Sequence, residues 1–277
     1  MPELTSAIPD FLYGTAWKEE RTAALTEQAL RVGFRGIDTA NQRRHYFEAG
    51  VGQGLAAACR TGVVTRAEVF LQTKFTYRRG QDQRLPYDPA ASLSVQVAQS
   101  MASSLEHLGT DFVDSFVLHG PASNYEWTDD DAEVWEAMRQ ERDAGRTRLL
   151  GVSNVSLGHL EQMVAVHDET PAFVQDRCFA RMGWDRHVRL FCRERKIIYQ
   201  GFSLLTANGD VVRHPLVHGI ARRMNATPAQ IVFAFARAVG MLPLTGTSSA
   251  EHMEQDLASR EMVLSADDVR EIESVAG

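Results

Sequence analysis

Four side chains of complementary chemistry recur in this chain at one kind of place, where a short apolar run opens into a polar loop. Gly36-Ile37-Asp38 ends one run with a carboxylate, and Leu71-Gln72-Thr73-Lys74 ends another with an ammonium. Val117-Leu118-His119 ends a third with an imidazole, and Tyr46 follows Asp38 by eight residues. A phenol ionises near pH 10 in water, a nearby ammonium favours its phenolate, and a carboxylate can hold that ammonium in place and charged. An imidazole can orient a carbonyl oxygen or relay a proton. Together these groups would form a general acid directed at a carbonyl. Singly, each has a structural use: Asp38 as a helix cap, Tyr46 as a packed aromatic, Lys74 as an exposed strand end, His119 as a satisfied core histidine. Their common position at strand ends favours the chemical reading.

The elements that must carry them follow from the hydropathy pattern. Apolar runs at residues 11–14, 36–38, 69–73, 112–118, 149–152, 173–175, 198–202 and 241–245 read as buried strands. Helical periodicity covers 21–32, 47–59, 91–108, 131–144, 157–167, 185–195, 228–239, 251–259 and 266–275. Gly33 and Gly109 stop two helices, Thr227-Pro228 starts one, and Ser248 with Glu251 has the spacing of a capping box. Eight strands alternating with helices predict a parallel (β/α)8 barrel, with an open doubly wound sheet as runner-up. Leu12-Tyr13-Gly14-Thr15-Ala16-Trp17-Lys18 lacks the Gly-x-Gly-x-x-Gly turn of a Rossmann fold, so the barrel is favoured. In such a barrel the loops after the strands face the active site.

Composition sets the outer bounds. With 277 residues, 44% hydrophobic, and no linker rich in Pro, Gly or Ser, residues 1–277 read as one domain. A net charge of −7 argues against nucleic acid or an anionic membrane as partner. Cys59, Cys178 and Cys192 are odd in number and widely spaced, which indicates neither a disulfide framework nor a metal site. No secretory signal and no membrane-spanning run is visible, so a reduced cytoplasmic location is expected.

At this point the sequence resembles the aldo-keto reductase family over essentially its whole length. The resemblance lies in Gly33-Phe34-Arg35-Gly36-Ile37-Asp38-Thr39-Ala40, Thr73-Lys74, Leu118-His119-Gly120-Pro121, Gly151-Val152-Ser153-Asn154, Thr227-Pro228-Ala229-Gln230 and the segment from Thr245 to His252. It implies a (β/α)8 TIM barrel that binds NADPH, with NADH as the alternative, and transfers hydride to a small-molecule carbonyl. The implied catalytic tetrad is Asp38, Tyr46, Lys74 and His119. Ser153, Asn154 and Gln175 would hold the nicotinamide carboxamide, and Phe202 would stack on its ring in place of the family's usual tyrosine. Ser203 and Leu205 would meet the pyrophosphate, Thr15 and Ala16 would line the ribose, and Gln255 and Asp256 would lie near the adenine. No metal is implied.

Two departures from the family pattern stand out. The aspartate-to-tyrosine spacing is normally five, which reads here as a three-residue insertion in the loop that holds Gln42, Arg43, Arg44 and His45. The family's lysine and arginine for the 2′-phosphate are replaced by Gly246 and His252, leaving Thr247, Ser248, Ser249 and backbone N–H groups. A tenfold to hundredfold preference for NADPH is expected on that basis. Gly120 and the short C-terminal segment point to an open pocket, shaped by residues 75–89 and 122–130. Trp17, Phe75, Tyr77, Asn124 and Trp127 are the candidate substrate lining, and Arg78, Arg79 and Arg84 are candidates to meet an acidic substrate. The expected activity is that of a carbonyl reductase acting as a monomer or weak homo-oligomer. The alternative is a cofactor-binding regulatory subunit of the same fold.

Overall fold

The structure is a computed structural model that describes residues 8–275. Eight parallel strands close into a barrel in sequence order: β1 (Leu12–Gly14), β2 (Gly36–Asp38), β3 (Phe70–Phe75), β4 (Val113–Leu118), β5 (Thr147–Ser153), β6 (Phe173–Arg177), β7 (Ile198–Phe202) and β8 (Met241–Thr245), with β8 pairing back to β1. Around it run α1 (Thr22–Val32), α2 (Glu48–Arg60), α3 (Leu93–Leu108), α4 (Asp129–Asp143), α5 (Leu157–His167), α6 (Arg186–Glu194), α7 (Gly209–Val212), α8 (Pro215–Arg223), α9 (Pro228–Ala238), α10 (Ala250–Ala258) and α11 (Ala266–Ser274). The TIM-barrel class is the one the alternating pattern predicts. No helix among the described residues is long and apolar enough to cross a membrane.

Because strand side chains alternate, every strand divides its residues between two environments. Leu71, Phe75, Phe116, Leu118, Val152, Val174 and Tyr199 point outward and form the main core with the helices. Leu12, Phe70, Phe173 and Leu242 point inward and form a separate apolar plug, with Leu149, Ile198 and Leu244 packed against it. Two residues further along β3, β6 and β7, the interior turns polar. There Gln72, Gln175 and Gln200 join Asp38 in one network of buried amides.

Helix ends follow local chemistry. Gly33 and Gly109 take left-handed conformations, φ 119° and 65°, that close α1 and α3. Thr227 caps α9 through Gln230, with Pro228 at the first helical position. Three local expectations are corrected. α10 is capped by Ser249, which accepts from His252 N, so Ser248 and Glu251 form no capping box. α4 starts at Asp129, where Thr128 and Asp131 make the reciprocal pair. α7 and α8 lie between β7 and α9, where the hydropathy pattern assigns no element. The apolar spacing of Val217, Ile220 and Ala221 is helical, and Pro215 takes the first helical position.

Candidate active site

The polar layer ends in a cleft of about 740 Å³ at the strands' C-terminal mouth. Asp38 closes β2, and Lys74 lies one step from the end of β3, both pointing into the barrel. Lys74 Nζ donates to Asp38 Oδ1 at 2.6 Å and to the Thr39 carbonyl at 2.8 Å, with the lysine fully buried. Asp38 Oδ1 also accepts from Gln72 Nε2 at 2.7 Å and Gln175 Nε2 at 3.0 Å. A buried carboxylate holding an ammonium and two amide donors is satisfied in its charged form. Behind Lys74, the Thr73 hydroxyl donates to buried Glu48, which ties β3 to the start of α2.

Tyr46 reaches this pair through a compact turn. Its N–H donates to the Gln42 carbonyl at 3.0 Å, as His45 N does at 3.2 Å, and Gln42 Nε2 anchors the turn on the Gly80 carbonyl. The extra residues are thus wound into the loop, and the phenol ring comes back over Lys74, whose Nζ lies 5.2 Å from the ring centre. The His119 ring meets it edge-on at 5.8 Å. Of the six tyrosines in the chain, Tyr46 alone lines the cleft. Tyr13 donates to the Thr247 carbonyl, Tyr77 to Asp131, Tyr87 to the Thr76 carbonyl and Tyr199 to Asp185, while Tyr125 is exposed.

The electrostatics differ from the sequence expectation. Burial, and then the Asp38 charge, push the Tyr46 phenol above its ordinary value. Lys74 is itself held by Asp38 and the Thr39 carbonyl, and burial outweighs any pull toward phenolate. Burial also lowers the Lys74 ammonium, with Asp38 opposing. His119 is held well below the ordinary histidine value by burial and by Lys74. Its Nδ1 shares a hydrogen with Thr76 Oγ1 at 2.7 Å. At neutral pH the mouth therefore presents a protonated phenol beside a neutral imidazole.

From this corner the cleft runs along the ends of β5, β6, β7 and β8. Ser153 Oγ donates to the Gln175 carbonyl at 2.6 Å, and Asn154 Nδ2 donates to the His119 carbonyl at 2.8 Å. With the amide nitrogens of Asn154 and Gln175 engaged, their side-chain carbonyl oxygens remain as acceptors. Ala16, Phe202, Ser203, Leu205, Gly246, Thr247, His252, Gln255 and Asp256 line the rest. Trp17, Asn154 and Ser203 all take positive φ (61°, 55° and 56°), a costly conformation that here recurs at three strand-end loops around one cleft.

Several expected residues lie elsewhere. Thr15 is buried, its hydroxyl on the Asp38 carbonyl, and Ser248 and Ser249 flank the cleft without lining it. Phe75, Tyr77 and Trp127 are packed into the outer core, and Asn124 is exposed on the β4–α4 loop. None of these four lines the cleft, because Tyr77–Asp131 and Arg79 on the Pro121 and Ala122 carbonyls bind their loops to each other. Arg84 is paired with Asp82. Trp17, 67% exposed, does line the mouth, and its ring lies tilted against the His45 ring at 4.1 Å.

Lys18, Arg177, His45 and Thr206 also line the cleft, and sequence reasoning assigned none of them a role there. Lys18 is 8% exposed, and its Nζ donates to the Gly246 carbonyl. Burial and Arg21 lower its ammonium. The mouth that seemed to lack a lysine beside Gly246 thus receives one from the β1 loop.

An elongated ligand with an amide at one end and anions toward the other fits this surface. The free acceptors at Asn154 and Gln175 match carboxamide N–H donors, Phe202 offers an aromatic face, and Lys18, Thr247 and His252 also line the cleft. These are the groups a nicotinamide dinucleotide requires. The aldo/keto reductase family model matches residues 12–207. Methylglyoxal reductase DkgB of Escherichia coli is 27% identical over 96% of this chain and 92% of that protein. An aldo-keto reductase of Mycolicibacterium vanbaalenii is 30% identical over 89% of the chain and 80% of that protein. The crystal structure of a Bombyx mori aldo-keto reductase in complex with NADP superposes with a TM-score of 0.81 at 23% identity, covering 96% of this chain and 88% of that one.

Proposed function

Because the chain belongs to the aldo/keto reductase family, we propose that it reduces an aldehyde or ketone to an alcohol with NADPH, Tyr46 serving as general acid. The observation that carries the reading is the convergence of Tyr46, Lys74, Asp38 and His119 at one end of a cleft suited to a dinucleotide. A nicotinamide held in that cleft would supply the hydride for the carbonyl carbon. The carbonyl oxygen must then gain a proton, and the Tyr46 hydroxyl, held protonated, is the donor at the mouth. Neutral His119 orients the same oxygen without competing as an acid. Lys74 and Asp38 fix the floor beneath the phenol and keep its charge environment constant. Asn154 and Gln175 would hold the carboxamide, and Phe202 would offer an aromatic face to the ring. Trp17 and His45 form the shelf on which the carbonyl compound rests.

Two relatives reinforce parts of this reading by what their names state: one reduces methylglyoxal, a small dicarbonyl, and one binds NADP. Loss of NADPH absorbance across a panel of small aldehydes, together with quenching of protein fluorescence on titration with NADPH and NADH, tests it. Turnover with saturable quenching is the expected result. Binding without turnover on any aldehyde favours a regulatory subunit, and no binding removes the dinucleotide altogether.

A further inference from the structure

β6 directs Phe173, Gln175 and Arg177 to the barrel interior in steps of two. Phe173 belongs to the apolar plug and Gln175 to the amide layer, so Arg177 stands roughly 7 Å above Gln175 at the open rim. Its register partner across the β6–β7 ladder is Phe202, and both residues line the cleft. The side chain is exposed, and the contact recorded for it is with the Phe179 ring, 5.8 Å from the guanidinium carbon. Other arginines of the rim loops are committed: Arg43 to Glu19, Arg84 to Asp82, and Arg79 to the Pro121 and Ala122 carbonyls. The cleft's own carboxylates are committed too, Asp38 to Lys74 and Asp256 to the Thr245 hydroxyl.

A guanidinium without a carboxylate partner among the described residues, over a cleft whose acids are engaged, has its planar fork of donors available for a ligand. We propose that Arg177 binds an anionic oxyacid group of the cleft's ligand, a phosphate of the dinucleotide or a carboxylate carried by the carbonyl substrate. The proposal rests on the reductase reading. It gives the rim a cation on β6 facing the one that Lys18 brings from β1, so the two flank the cleft at the ends of its β6–β7–β8–β1 arc.

The test compares wild type, Arg177→Gln and Arg177→Lys. Dissociation constants for NADPH and NADH are measured by fluorescence without any carbonyl present, and kcat/KM is measured for para-carboxybenzaldehyde and benzaldehyde. If the anion is a dinucleotide phosphate, Arg177→Gln weakens both cofactors about tenfold or more, as loss of a charge-assisted pair should. If it is a substrate carboxylate, cofactor affinity holds and the carboxylated-to-neutral kcat/KM ratio falls about tenfold. Arg177→Lys recovers part of whichever loss appears, since it keeps the charge and loses the fork. A wild type that binds dinucleotide and reduces aldehydes, with neither quantity moved in Arg177→Gln, overturns the proposal and leaves the reductase reading standing. A wild type that binds no dinucleotide overturns both.

Discussion

The lower and upper layers of the barrel interior are built by the same strands and differ in almost everything else. Phe70, Phe173 and Leu12 below form a dry plug, while Gln72, Lys74, Gln175 and Arg177 above progress from amides to charges. Each step is two residues, the period of the strand. Below, nothing needs a partner except neighbouring carbon. Above, a buried polar atom is costly unless paired, and that cost fixes Lys74 on Asp38 and Gln72 and Gln175 beside it. Rigidity in the lower layer comes from packing, and in the upper layer from a closed hydrogen-bond network. The plug thus supplies the fixed floor on which the candidate tetrad is oriented.

The largest effects should separate the layers. Phe173→Ala and Lys74→Met are each expected to cost about 3–5 kcal/mol in urea unfolding, one through a cavity and the other through an unpaired buried carboxylate. Only Lys74→Met should also abolish aldehyde turnover per folded molecule. Equal loss of specific activity in both would erase the distinction between floor and site.

The next effect contrasts the two faces of β6. Asp176 points outward, is buried, accepts from Val155 N, and is pushed up to about 8 by burial. Between about pH 4 and pH 8 the native state holds a proton that the unfolded chain has released, so wild-type stability falls as pH rises through this window. Asp176→Asn should remove that loss, so that the variant gains on wild type at pH 8 and not near pH 4. An unchanged or opposite pH trend in thermal melts would show that Asp176 is ionised in the fold.

A smaller change should come from Lys18→Met, which removes the cation at Gly246. We expect NADPH to bind about tenfold more weakly, near 1.4 kcal/mol, when titrated by fluorescence. Equal weakening of NADH places Lys18 on the pyrophosphate, and weakening confined to NADPH places it on the 2′-phosphate. No weakening of either removes Lys18 from the cofactor site.

The smallest concerns His119. Its folded value lies well below 6.5, so the unfolded chain takes up a proton first, and stability is lost as pH falls below about 6.5. His119→Gln should flatten that acid decline by about 1 kcal/mol between pH 6.5 and pH 5.5. An identical decline in the variant would mean that His119 is already charged in the native state.

The alternation of strands and helices made the barrel readable, because burial on the two strand faces leaves a periodic trace in sequence. Asp38, Lys74 and His119 were readable for the same reason: each ends or directly follows an inward-facing column. Tyr46 required the extra loop residues to fold back, and the Gln42–Tyr46 turn explains how they do. Lys18 was missed because its partner, the Gly246 carbonyl, is 228 residues away and the positive-φ turn at Trp17 redirects the chain. Arg177 carried a usable signal, two residues beyond Gln175 on the same face. Phe75, Tyr77 and Trp127 were misplaced because an aromatic near a strand end can pack beneath its loop as readily as line the mouth. The separation of those cases is a tertiary property.

The central claim is that Tyr46 donates the proton, and Tyr46→Phe tests it most directly. Single-turnover reduction of a small aldehyde is measured alongside NADPH affinity and thermal stability of the same variant. The account predicts unchanged folding and cofactor binding with a rate lowered roughly 10²-fold or more. A Tyr46→Phe protein that reduces the aldehyde at near the wild-type rate would contradict it.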